Sequence, residues 1–169
     1  MVELVRSSPQ LCMDFALNSS PEVESYLHLN QLNVSIISVL IAGEMGWEPD
    51  RLTTLCSVAM IHDIGMFELP WDLIHGGPVD ETGRRLIEEH PIHTSSRMDP
   101  IKGLLGEEWI KTVEQEHENL DGSGYPNGRA GDEVGMGARI IHVSDLFEAL
   151  THPRPYRDGF LTPFEAMSY

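Results

Sequence analysis

Leu52-Thr53-Thr54-Leu55-Cys56-Ser57-Val58-Ala59-Met60-Ile61-His62-Asp63-Ile64-Gly65 carries two signals at once. Leu52, Leu55, Cys56, Ala59 and Met60 recur at helical spacing and mark a buried stripe. At the end of that apolar run an imidazole and a carboxylate stand side by side, where an unpaired charge is costly to bury. His62 falls four residues after Val58 and seven after Leu55, and Asp63 falls four after Ala59 and seven after Cys56. If the helix continues, both side chains project from its inward-facing strips. A metal ion is the best candidate to compensate them; the alternative is a buried His-Asp hydrogen-bonded pair without metal.

Working outward, apolar residues keep helical spacing almost throughout, and no alternating run is long enough for a sheet, so the spacing predicts an all-α protein. One helix is expected from Pro9 to about Leu17. A cap at Ser19-Ser20-Pro21-Glu22 then opens a longer one that runs to Gly43 or Met45. Gly46 ends it and Glu48-Pro49-Asp50 restarts the chain. Pro70 and Gly76-Gly77-Pro78 mark an irregular connector. Asp80 to about Glu89 is the next helix, with Leu86, Ile87 and His90 on one side. A loop through Asp99-Pro100 leads to a helix around Glu107 to Glu118. Asp121 to Gly137 holds six glycines and one proline, which reads as a long structured loop. Ala138 to Leu150 is the last full helix, with Ile141 and Asp145 on one face.

At 169 residues, the chain is expected to form a single domain spanning residues 1–169, with residues 1–20 as a leading helix or linker. Leu161-Thr162-Pro163-Phe164-Glu165-Ala166 opens a capped helix that stops after barely two turns, so the sequence is expected to be a fragment of a longer chain. A net charge of -16 argues against a nucleic-acid polymer as partner, because such binding draws on clustered Lys and Arg. A small anionic substrate would need local positive charge, for which bound metal, Arg154 and Arg157 are the candidates. Cys12 and Cys56 form no metal-ligand spacing and no disulfide framework. The longest apolar run, Val34 to Ala42, is too short to span a bilayer. The reading is a cytoplasmic protein with no membrane segment.

The motifs from about Tyr26 to Arg157 resemble the HD-GYP family of the HD phosphohydrolase superfamily. They are His62-Asp63-Ile64-Gly65, His90-Pro91, Glu116-His117-Glu118 with Asp121-Gly122-Ser123-Gly124-Tyr125-Pro126, Asp145 in Val143-Ser144-Asp145-Leu146-Phe147-Glu148, and Arg154-Pro155-Tyr156-Arg157. The resemblance implies an HD-domain helical bundle with a long Gly-rich GYP loop. It also implies a metal-dependent phosphodiesterase that cuts cyclic di-GMP, a bacterial second messenger, to linear pGpG or GMP, and a longer parent chain with a regulatory or sensory region ahead of Met1. Two divalent cations are implied, iron or manganese ahead of zinc, because the ligands mix nitrogen and oxygen. His62, Asp63 and Asp145 with a residue of the long second helix would hold one. Asp63, His90, Glu116 and His117 would hold the other. Asp63 and His62 are the implied catalytic pair; Gly124, Tyr125, Pro126, Arg154 and Arg157 are the implied substrate contacts.

Three positions depart from the family pattern. Asn30 stands where the family has a histidine, and a neutral amide is a poor substitute. His28 cannot replace it, because two residues along a helix swing a side chain by about 200°. Glu116 stands for the first of two paired histidines and is either a ligand or a solvated member of the acidic run Glu114 to Glu118. Met66 replaces a lysine expected to contact the scissile phosphate, and losing one such contact commonly costs about 10²–10³ in rate. Asn30 and Met66 motivate a second reading, a degenerate HD-GYP domain that senses nucleotide or binds a protein partner without turnover. A third reading is another HD-superfamily phosphohydrolase. His28, His75, His93, His142 and His152 read as structural or exposed.

Overall fold

In the computed structural model, residues 1–19, 26–75, 78–154, 157 and 159–168 are described. Ser20-Pro21-Glu22 of the expected cap, Gly76-Gly77 of the connector and Pro155-Tyr156 of the last motif lie outside the described residues. Among the described residues there is no sheet, only isolated bridges at Asp121–Ala130 and Arg154–Arg157. The all-α expectation holds. The chain divides into two compact units, one of residues 1–60 and 143–169, the other of residues 61–142.

In the first unit, α1 (Val2–Ser7), α2 (Pro9–Asn18) and α4 (Pro49–Ala59) pack around α3 (Tyr26–Glu44). Val5, Cys12, Ala16, Ile36, Ile37, Val39 and Cys56 form its core, and Phe147 packs against it. Both cysteines are free and buried. By length and composition alone, α3 could cross a membrane, which the shorter run Val34 to Ala42 did not suggest. Its buried residues include Asn30, Gln31, Asn33, Ser35 and Ser38 as well as its aliphatics, which fits the central helix of a packed core.

The second unit contains the 3₁₀ turn Ile64–Glu68, α5 (Trp71–Ile74), α6 (Glu81–Met98), α7 (Lys102–Leu105), α8 (Glu107–Glu114) and the first turns of α9 (Met136–Thr151); α10 (Pro163–Ala166) follows in the first unit. Three expected boundaries change. The helix before His62 ends at Ala59, and the chain then tightens, with the Ile64 N–H donating to the Ile61 carbonyl and that of Met66 to Asp63. That tightening lays Gly65 on α6, where its N–H donates to Thr94 Oγ1 at 2.9 Å and a Cβ would collide with the His90 carbonyl. His62 and Asp63 therefore sit in a turn, not on a helix. The expected helix to Glu118 stops at Glu114 and continues as short turns through Glu116 and Glu118. The helix expected to end near Glu89 instead runs through Pro91 to Met98, with Asp80 capping its start by accepting from the Gly83 N–H at 2.8 Å.

Candidate metal centre

Leaving the helix lets neighbouring residues face one place, because adjacent side chains on a helix diverge by about 100°. Glu116 and His117 do so just beyond α8, Asp63 does so just beyond α4, and His90 joins them from within α6. One ligand atom from each of Asp63, His90, Glu116 and His117 lies within 4.8 Å of the others. His90 Nε2 is 3.0 Å from Asp63 Oδ1, 3.2 Å from His117 Nε2 and 3.8 Å from Glu116 Oε1. His62 is buried beside the cluster, its Nε2 3.6 Å from Asp63 Oδ2, but it is not one of the four.

The electrostatics favour a cation. Glu116 is 1% exposed, and neither carboxylate oxygen has a hydrogen-bond partner. Leaving such a group unsatisfied costs about 1–3 kcal/mol, more when it is charged. Burial pushes the Glu116 carboxyl up to about 7, against the opposing pull of His62 and His90. Burial alone would push the His90 imidazolium down, but the Asp63 and Glu116 carboxylates outweigh it and lift it to about 10. Burial would likewise raise Asp63, yet the charge of His62 together with His90 and His117 holds it well below the usual carboxylate range. A proton on His90 thus occupies the place of a divalent ion, for which two imidazoles and two carboxylates are a fitting donor set.

The GYP loop folds against the same ligands. The Tyr125 N–H donates to the His117 carbonyl at 3.1 Å, and the Tyr125 ring stacks on the His117 imidazole with centroids 4.8 Å apart. Gly124 is required here, since a Cβ would fall inside contact distance of the Asn119 nitrogen, the His117 carbonyl and Glu118 Cα. Pro126 follows through a cis peptide. Sequence reasoning missed Glu118 as the anchor of this loop. Its buried carboxylate accepts from the Asn127 and Arg129 N–H groups at 2.8 and 2.9 Å. It missed His142 too, whose Nδ1 lies 2.6 Å from the Glu116 carbonyl oxygen. No spacing rule marks such side chain to backbone contacts.

Asn30, Asp145 and Arg154 belong to the first unit and share a hydrogen-bond network there. Asn30 donates through Nδ2 to Asp145 Oδ1 at 2.9 Å and to Glu148 Oε2 at 2.8 Å. Arg154 donates to Glu148 Oε2 at 2.5 Å, and Asn33 to Glu148 Oε1 at 3.3 Å. Arg154, expected to meet substrate phosphate, is 6% exposed at its side chain and also lies over the Tyr26 ring. Arg157 donates to the carbonyls of Ala149 at 2.5 Å and His152 at 3.1 Å, closing the end of α9. Asp145 is not among the four clustered ligands. Met66 is half-buried in the 3₁₀ turn.

A family model described as HD domain matches residues 11–169. Among curated relatives, the 3'3'-cGAMP-specific phosphodiesterase 1 of Vibrio cholerae is 35% identical over 130 residues, covering 76% of this chain and 29% of that protein. The cyclic di-GMP phosphodiesterase response regulator RpfG of Xanthomonas campestris is 28% identical over 137 residues, covering 80% of this chain and 36% of its own. This chain therefore spans about a third of the length of these relatives. Among solved structures, Bd1817, a HDG"Y"P protein from Bdellovibrio bacteriovorus, superposes with a TM-score of 0.78 at 20% identity, over 99% of this chain and 52% of that one. That likeness is one of fold.

Proposed function

The chain belongs to the HD domain family, in its HD-GYP branch, and from that premise we propose that it is a metal-dependent phosphodiesterase acting on a cyclic purine dinucleotide. The single observation that carries this reading is the convergence of Asp63, His90 and His117 on a buried carboxylate, Glu116, whose two oxygens have no hydrogen-bond partner. The family match across residues 11–169 supports treating the chain as one HD-GYP domain. Cytoplasmic placement belongs to the same reading, supported by two free cysteines.

Asp63, His90, Glu116 and His117 would hold the cation, and iron or manganese suits the mixed nitrogen and oxygen set, with zinc as a competitor. When bound, such an ion supplies Lewis acidity toward a phosphoryl oxygen and acidifies water near neutral pH. It also supplies the positive charge that a chain of net charge -16 needs to hold an anion. Asp63, ionised across the physiological range, keeps its carboxylate available as a ligand. Tyr125, stacked on His117, fixes that ring and with Gly124 and Pro126 offers an edge for a purine base. Arg154 and Arg157 serve the fold of the first unit in this reading. A second cation was expected from Asp145 and the position held by Asn30. With the Asn30 amide donating to Asp145, the proposal requires only the cation of the four clustered ligands.

Cyclic di-GMP, cut to pGpG or GMP, is the substrate the motifs suggest. The relative at 35% identity adds 3'3'-cGAMP as a second candidate of the same class. Protein reconstituted with Fe(II) or Mn(II) without oxygen is given each dinucleotide, and products are followed by chromatography beside an Asp63→Ala control. Metal-dependent product absent from the control is the expected result. No product from metal-loaded protein would favour the degenerate binding domain, which the Asn30–Asp145 hydrogen bond and Met66 already motivate.

A further inference from the structure

Pro91 lies inside α6 and has no N–H, so the carbonyl of Ile87, four residues earlier, loses the donor a regular helix would give it. His90 Nδ1 takes that carbonyl at 2.5 Å. A carbonyl only accepts, so Nδ1 must carry the proton, and a neutral ring then keeps its lone pair on Nε2. Nε2 is the atom that faces Asp63, His117 and Glu116. The molecule contains two contrasting cases. His75 and His152 direct Nδ1 at the carbonyls of Trp71 and Glu148, each at 3.0 Å, but both carbonyls are already taken by the histidine's own backbone N–H. His152 is likewise followed by a proline, Pro153, but its Nδ1 takes the Glu148 carbonyl and not that of Ala149, four residues before the proline; only at His90 among these three does the ring take the carbonyl that the proline leaves without a donor.

We propose that Pro91 is a positioning residue for the metal centre: by vacating the Ile87 carbonyl it locks His90 in the Nδ1–H tautomer, with Nε2 turned to the cation. The inference rests on the metal-centre reading above. Pro91→Ala restores a backbone N–H that competes for the Ile87 carbonyl, and it does so with a residue far better suited to a helix interior than proline. A purely structural role for Pro91 therefore leaves zinc affinity untouched and the thermal midpoint unchanged or higher. The positioning role instead predicts that zinc affinity, read by chelator competition on the full chain, falls about 10–100-fold, as changes to groups behind metal-binding histidines typically do.

Long-range proton–nitrogen NMR of zinc-loaded protein supplies the second readout. The wild-type chain should show His90 bound through Nε2 with a slowly exchanging proton on Nδ1, and that proton should exchange faster in Pro91→Ala. An Nδ1 without a proton in the wild-type chain overturns the inference, whether or not the variant folds. Unchanged affinity with unchanged His90 signals in folded Pro91→Ala overturns it too. A wild-type chain that takes up no zinc overturns the metal-centre reading itself.

Discussion

Two buried polar clusters, one in each unit, use similar residues to opposite ends. The Glu148 carboxylate is supplied with donors: Arg154, Asn30 and Asn33 all point N–H groups at it, and its side chain is 4% exposed. Around Glu116 the neighbours are the ligand atoms of Asp63, His90 and His117, and neither oxygen has a hydrogen-bond partner at 1% exposure. A buried carboxylate supplied with donors is a structural device. One surrounded by ligand atoms is incomplete without a cation or a proton. The comparison therefore separates a carboxylate satisfied within its own unit from one that lacks hydrogen-bond donors.

The pH dependence of stability tests the incomplete cluster most strongly. Glu116 is raised from its ordinary value to about 7, and His90 to about 10. In both the folded state binds the proton more tightly, so metal-free stability is fullest below the unfolded pKa of each group. It is lost as pH rises through 7 for Glu116 and toward 10 for His90. Asp63 shifts the other way, and its contribution is constant above about pH 5. Between pH 5.5 and 8.5 the metal-free chain should lose on the order of 3–5 kcal/mol, while metal competes better as protons leave. Denaturant melts with and without Mn(II) should show metal stabilisation growing with pH; a gap that is flat or shrinking would break the assignment.

The donor-supplied cluster is tested by Glu148→Ala, which strands Arg154 and two amides. Removing one partner of a buried ion pair typically costs about 3–5 kcal/mol. A urea midpoint close to wild type would mean that the network is not structural. Above about pH 7, where the Glu116 carboxyl is ionised, Glu116→Gln should have the opposite sign: metal-free protein becomes more stable by about 1–3 kcal/mol as a buried carboxylate without hydrogen-bond donors is removed, while metal affinity drops. If both variants destabilised the metal-free chain alike, the contrast between the clusters would collapse. The smallest effect is expected from Tyr125→Leu, which removes the stack on His117 and should cost about 0.5–1.5 kcal/mol, with Tyr125→Phe near wild type. Thermal melts of the metal-loaded variants read that difference.

Periodicity and punctuation alone determined the helical class and the placing of most helices, because apolar spacing and Gly or Pro stops are local properties of the chain. The order of His62-Asp63, His90, His117 and Gly124-Tyr125-Pro126 made the metal chemistry legible in the same way. The sequence could not show where helices give way to turns. Gly65 docks on α6, and the turns after Glu114 are held by Gly135 and His142, contacts distant in sequence; those turns allow neighbouring ligands to converge. The helix expected to end near Glu89 runs on through Pro91, and the His90 ring that takes the carbonyl left without a donor is not visible in sequence. Nor could sequence sort the carboxylates, since Glu116 and Glu148 differ only in what surrounds them. Tertiary structure made that choice, because whether a buried charge is satisfied depends on which donors lie within about 3 Å of it.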